Sequence, residues 1–443
     1  MRFNLSSPWW IETMARRYAH VQLSAFLGAE VYNGTACTPA CCAQGPPCYS
    51  CTCGEFPLVE LARRLKAVNP RFKVMLYQAA DRGDLTPFGS RMIQAHPEWW
   101  LRDDHGNVVY MNEAWRCLPN GTVTPDAQCH PVLDWTNADV RAWFRNFPIQ
   151  LFNGTQQAAA LFDGLMVDAG GYYPEIPWFV GGGNISLQRY QQLFSAEMQM
   201  LHEAQVMYAQ LNGGLVLDNG GLPNPGSQPT WPGLSWRNVA GAVGGGSFLE
   251  WFGSFGQLDD NGSWDVASMN ATINTIRQAA SAGYPVVLKA APGPATTPFL
   301  RRGYGADQGL LEHNGYYITS WKGPAGPVPN ASEACRAGAA RFLVQSLAPF
   351  LIVVEPNVFW SYAWFYNMED GYIPCPGTTI INNVSMDIEC GMPTAWYPEF
   401  ERPLGPPAGP PTCTNGTVWT RRFARADVYV DLANMTAARI DWW

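Results

Sequence analysis

Six charged side chains stand where short apolar runs of this chain stop: Asp81, Asp168, Asp218, Glu250, Lys289 and Glu355. Five are carboxyls and one is an ammonium. Gathered at one mouth, such a set offers two carboxyl groups to a single reaction. One keeps a proton and delivers it to a departing oxygen. The other is charged, and either attacks carbon or activates water. Cleavage of a glycosidic bond is the reaction that uses this division of labour. Tryptophan suits the same task, because its ring packs on the C–H face of a sugar. The chain has 19, and Trp99, Trp100, Trp115, Trp178, Trp231, Trp236, Trp251, Trp360 and Trp364 fall in or beside the expected loops and strand ends. Each residue also has a plainer use: a carboxyl can pair with a cation or cap a turn, and a tryptophan can fill a core.

Residues at strand ends share one mouth only when the strands are parallel and enter it from the same side. The sequence meets that condition. Leu161–Gly171 is a buried strand entered through Asp163-Gly164 and left through Gly170-Gly171, with Asp168 at its end. Around it, strands are expected at 19–26, 72–77, 214–218, 247–252, 285–289 and 351–355, bounded by turn residues. Helices are expected at 57–68, 137–152, 187–211, 266–282 and 335–348, from apolar residues at helical spacing. Alternation of strand and helix means parallel pairing through right-handed crossovers. Seven or eight such units predict an α/β fold, a (β/α)8 TIM barrel with long loops. An open doubly wound sheet is the rival. It is disfavoured because no Gly-x-Gly-x-x-Gly turn follows the first strand, and Gly244–Gly246 precedes a strand rather than a helix.

The division expected is a barrel over 1–402, carrying a cysteine-rich insertion at 37–53, then a linker and small β appendage over 403–443. Residues 379–411 have the composition of a linker, ending in the run Gly405–Pro411. The tail then reads as short antiparallel strands at 418–420, 427–431 and 438–441. It is too small to hold its own core and should pack on the barrel.

Only 14% of the 443 residues are charged, against about 25% in ordinary soluble domains. Eleven Asn-x-Ser/Thr sequons, at Asn4, Asn33, Asn120, Asn153, Asn184, Asn261, Asn270, Asn330, Asn383, Asn415 and Asn434, offer glycans as another source of solubility. The twelve cysteines fit an oxidising compartment: Cys37, Cys41, Cys42, Cys48, Cys51 and Cys53 in one cluster, then Cys117, Cys129, Cys335, Cys375, Cys390 and Cys413. Cys117–Cys129 and Cys375–Cys390 are the expected pairs, each closing a short polar loop, while the pairing within the cluster stays open. Zinc is the rival for that cluster and is disfavoured in a secreted chain. A secreted, extracellular glycoprotein follows. Residues 1–25 show no signal-peptide h-region, so the signal is expected to have been removed or to precede this chain. No apolar run is long enough to span a membrane. A net charge of −8 and a pI near 5.3 argue against nucleic acid and anionic membranes as partners. No metal and no cofactor is expected.

Seven segments, in order, carry a family resemblance: Lys73–Tyr77, His96-Pro-Glu-Trp-Trp100, Leu133-Asp-Trp-Thr136, Phe162–Asp168, Leu217-Asp-Asn-Gly220, Phe248-Leu-Glu250 and the tail Arg422-Phe-(x)4-Val-Tyr-Val. Together they resemble the glycosyl hydrolases of glycoside hydrolase-like family fifteen and, more distantly, the α-galactosidase and polygalactosaminidase group. The resemblance covers most of the chain and implies a catalytic barrel with a β appendage, acting on carbohydrate. It assigns Asp168 as nucleophile or base and Glu250 as acid. Asp218 is the reserve acid. Asp81, Lys289, Glu355, Trp100 and Trp251 are the expected substrate contacts. The alternative is a non-catalytic extracellular structural glycoprotein, a wall, matrix or filament subunit on a degenerate barrel, which would bury apolar surface against copies of itself.

Overall fold

A computed structural model of the chain describes residues 8–23, 56–80, 92–93, 95–111, 130–150, 161–168, 179–180, 185–219, 244–253, 265–290, 331–362, 372–381, 384–391 and 397–443. Seven strands form the main sheet in the order β1-β2-β5-β7-β8-β9-β10. They are β1 (His20–Leu23), β2 (Lys73–Ala79), β5 (Gly164–Asp168), β7 (Leu215–Asn219), β8 (Gly246–Phe252), β9 (Val286–Ala290) and β10 (Val358–Tyr362). The pairs β1–β2, β2–β5, β5–β7 and β9–β10 are parallel. The expected mixed α/β fold with a parallel sheet is therefore present. An eighth strand and closure of the sheet on itself are not among the described residues.

The chain divides into two compact units, and the division falls inside β8, between Ser247 and Phe248. The first unit holds β1, β2, β5, β7 and four helices: α1 (Pro8–Arg17), α2 (Phe56–Val68), α3 (Ala138–Gln150) and α4 (Leu187–Asn212). It also holds a small sheet of β3 (Tyr110–Met111), β4 (His130–Pro131) and β6 (Phe179–Val180). Helix α4 starts where Ser186 accepts a hydrogen bond from the backbone N–H of Arg189, and ends at Gly213, whose φ of 56° is left-handed. The core of this unit includes Trp135, Phe144, Phe147 and Tyr208, all fully buried. Strand β5 is anchored at its start by buried Asp163. Its carboxylate accepts from the Val74 backbone N–H at 2.8 Å and pairs with Lys66 at 2.7 Å and Lys73 at 3.2 Å, tying α2, β2 and β5 together. A Cβ at Gly164 would lie 1.7 Å from the carbonyl oxygen of Leu215, so only glycine lets β5 lie this close to β7.

The second unit holds α5 (Val266–Ser281), α6 (Ala331–Val353), β9, β10, a hairpin of β11 (Tyr372–Ile381) and β12 (Val384–Gly391), and the C-terminal sheet. That sheet is antiparallel, in the order β13 (Thr412–Thr414), β14 (Val418–Arg422), β15 (Ala426–Asp431), β16 (Arg439–Trp442). The appendage read from the sequence is thus a four-stranded sheet, and β14, β15 and β16 all meet α6.

Two expectations are corrected here. The apolar run 351–355 is not a strand: α6 continues through Pro349 to Val353, and the strand comes later, at Val358–Tyr362. An apolar run of this length has no period that separates a buried strand from a buried helix end, and the helix extends without a break. The stretch 379–411 is also not all linker, because β11 and β12 occupy much of its first half.

Arg421 of β14 caps α6. The residue is 4% exposed, and its guanidinium donates to the carbonyls of Ile352 at 3.0 Å and Val354 at 2.6 Å and pairs with Glu355 at 2.8 Å. A cation at a helix C-terminus meets the negative end of the dipole and the carbonyls left over there.

Candidate active site

In the first unit the described strand ends bring together Tyr77, Gln78, Asp168, Asp218 and Asn219. Pairing sets Ala79, Asp168 and Asn219 in one row across β2, β5 and β7, and Gln78, Val167 and Asp218 in the row before it. Successive side chains on a strand leave opposite faces. Asp168 and Asn219 therefore share one face with Tyr77, which stands two residues before Ala79. Asp218 and Gln78 share the other.

Asp168 closes β5 and is half-buried. Its Oδ1 accepts from the Asn219 side-chain amide at 2.7 Å, and its Oδ2 accepts from the Tyr77 hydroxyl. One donor comes from each strand flanking β5. Asp218, one residue before the end of β7, is only 1% exposed. Neither of its oxygens has a hydrogen-bond partner among the described residues, and the same is true of both ends of the Gln78 amide, itself 3% exposed. Burial first, and then the negative charge of Asp168, push the Asp218 carboxyl up to about 7. Asp168 is thus a half-exposed carboxyl held by two donors, while Asp218, on the other face of the sheet, is a buried carboxyl that keeps its proton to near neutral pH.

The other residues picked from sequence are placed as follows. Asp81 lies outside the described residues, as do the side chains of Glu250 and Trp251; the backbone of both is in β8. Lys289 is buried in β9, in the second unit. Glu355 follows α6 rather than ending a strand, and its carboxylate meets Arg421. Trp100 is half-buried and donates its indole N–H to the Ile93 carbonyl at 2.8 Å. Neighbouring Trp99 is buried, with His96 stacked on it at 4.2 Å. Among the sequon asparagines, Asn415 and Asn434 are exposed on the C-terminal sheet. Asn270 on α5 is engaged: its Oδ1 accepts from the Trp419 indole at 2.7 Å and its amide donates to the Gly416 carbonyl. Asn4, Asn33, Asn120, Asn153, Asn184, Asn261, Asn330 and Asn383 lie outside the described residues. Cys413 is an exposed free thiol. Cys390 sits opposite Ile373 in the β11–β12 hairpin, two residues from Cys375 along the partner strand. The remaining cysteine side chains are not among those described. No group of three or more His, Cys, Asp or Glu that could hold a metal ion is found among the described residues, and no described helix is long and apolar enough to cross a membrane.

Sequence reading missed Tyr77 and Asn219. Tyr77 passes for the last apolar residue of its strand, and Asn219 for the turn residue after Asp218. Their signal is that both flank Asp168 once the three strands are placed side by side.

No family model and no curated protein matches the chain. Among solved structures, a GH31 dextranase from Flavobacterium johnsoniae complexed with glucose aligns with 83% of this chain at 12% identity and a TM-score of 0.41. A trehalose-6-phosphate hydrolase from Bacillus licheniformis aligns with 81% of it at 11% identity and a TM-score of 0.41, over 60% of its own length. A cyclic alpha-maltosyl-(1→6)-maltose hydrolase from Arthrobacter globiformis in complex with maltose aligns with 86% of it at 12% identity and a TM-score of 0.38, over 72% of its own length. This chain spans about a third of the dextranase, 36% of its length. At such TM-scores the likeness carries no argument about chemistry, which rests on the residues above.

Proposed function

We propose that this chain is a glycoside hydrolase in which Asp168 is the charged carboxylate. One observation carries the reading: Asp168 stands half-exposed at the C-terminal end of a central parallel strand, with each oxygen held by a donor from a flanking strand. The resemblance to glycoside hydrolase-like family fifteen supports it, with Glu250 on β8 as the acid. In the retaining form, an Asp168 oxygen bonds to the anomeric carbon as the bond to the leaving oxygen breaks and the acid's proton passes to that oxygen. Water then cleaves the resulting ester and returns a proton to the acid. In the inverting form, Asp168 takes a proton from the water that attacks. The two are told apart by the configuration of the first sugar released, read by NMR. Secretion, N-glycans on exposed asparagines such as Asn415 and Asn434, disulfides and a closed eight-stranded barrel belong to the same proposal.

The test is Asp168→Asn against a broad panel of aryl and natural glycosides. Turnover should fall by roughly 10³-fold or more while sugar binding and fold persist. Full turnover in the variant, or a wild type inert on the whole panel, refutes the assignment.

A further inference from the structure

We infer that Tyr77 and Asn219 are positioning residues for Asp168, which together fix the plane of its carboxyl group. This rests on the proposed role of Asp168. Tyr77 and Asn219 reach Asp168 from opposite sides, from β2 and β7, and each takes a different oxygen. A carboxyl group held at one oxygen only can still turn about the bond that carries it. Held at both, from two strands that hydrogen-bond to its own, it cannot turn without breaking a contact. The Asn219 contact is also set by the backbone, because Asn219 is the register partner of Asp168. Reaction needs the attacking oxygen within about 3–3.5 Å of its target and aligned, and a 1 Å misplacement can cost roughly 10²-fold. Neither residue needs to touch the sugar to have this effect.

The experiment compares Tyr77→Phe and Asn219→Ser in the full chain, alone and in the Asp168→Asn background, on the best aryl glycoside from the panel. Each single variant should lower kcat by about 10–100-fold, with KM within about twofold and the melting temperature nearly unchanged. In the Asp168→Asn background neither change should lower the residual rate further, since both act through the group already lost. Unchanged kcat in both single variants, a loss that falls on KM instead, or an equal loss on top of Asp168→Asn overturns the positioning role. If Asp168→Asn itself keeps full turnover, or the wild type turns over nothing, the reading of Asp168 fails and takes this proposal with it. Asp168→Asn inactive beside fully active Tyr77→Phe and Asn219→Ser refutes the positioning role alone.

Discussion

Asp218 makes the energetics of the site measurable without a substrate. Its ordinary ionisation lies at 3.8, and in the fold it is pushed up to about 7. Between those two values the unfolded chain has lost a proton that the folded chain still holds. The folded state binds the extra proton, so stability falls as pH rises from about 4 to about 7 and is flat above. At about 1.36 kcal/mol per pH unit, the span amounts to roughly 4 kcal/mol. Asp218→Asn should therefore raise stability at pH 7.5 by a large part of that amount and flatten the profile between pH 5 and 7.5 in urea titrations. An unchanged slope would mean that Asp218 ionises in the fold as it does in the unfolded chain. The sequence showed that Asp218 ends an apolar run, but not which face it leaves the strand from. That depends on register: one step along β7 separates the buried carboxyl of Asp218 from the amide that reaches Asp168.

At the scale of elements, β5 is held at both ends by aspartates with opposite duties. Asp163 ties its start to two lysines and a backbone N–H, and Asp168 presents the chemistry at its finish. Gly164 lets the strand lie against β7, and an alanine there would drive a methyl into the Leu215 carbonyl. Gly164→Ala should cost at least about 1–3 kcal/mol, from backbone displacement. Because the strand that shifts carries Asp168, turnover should fall as well; a variant equal to wild type in both melting temperature and rate would show that the sheet absorbs the methyl. The helices α2, α4 and α5 were legible from apolar residues at helical spacing and β5 from its flanking glycines; the structure adds the caps at Ser186, Asp265 and Gly213. The end of α6 was not. Leu351-Ile-Val-Val reads equally as strand or buried helix, and what caps the helix is Arg421 of β14, which no local window contains.

At the scale of the whole molecule, the C-terminal sheet packs on α6 within the second unit. Arg421 meets the last carbonyls of α6, and the Trp419 indole meets Asn270 of α5. Arg421→Met keeps most of the side-chain volume and removes every one of the arginine's donors. It should destabilise the second unit by roughly 2–4 kcal/mol, since buried carbonyls and Glu355 lose their partner. Calorimetry should register that loss. A melting temperature equal to wild type would show that water can replace the guanidinium. The small size of the tail signalled that it must pack on something, and its alternating pattern signalled strands, but neither could name the helix it completes.

Arg421 also sets an order in time. A ribosome delivers α6 well before β14, so the helix leaves the tunnel with its final carbonyls unanswered and its apolar flank uncovered. Until β14 has been added, that surface is open to chaperones and to wrong partners. The arginine that ends this exposure is thus a late contact in synthesis as well as a cap in the finished fold.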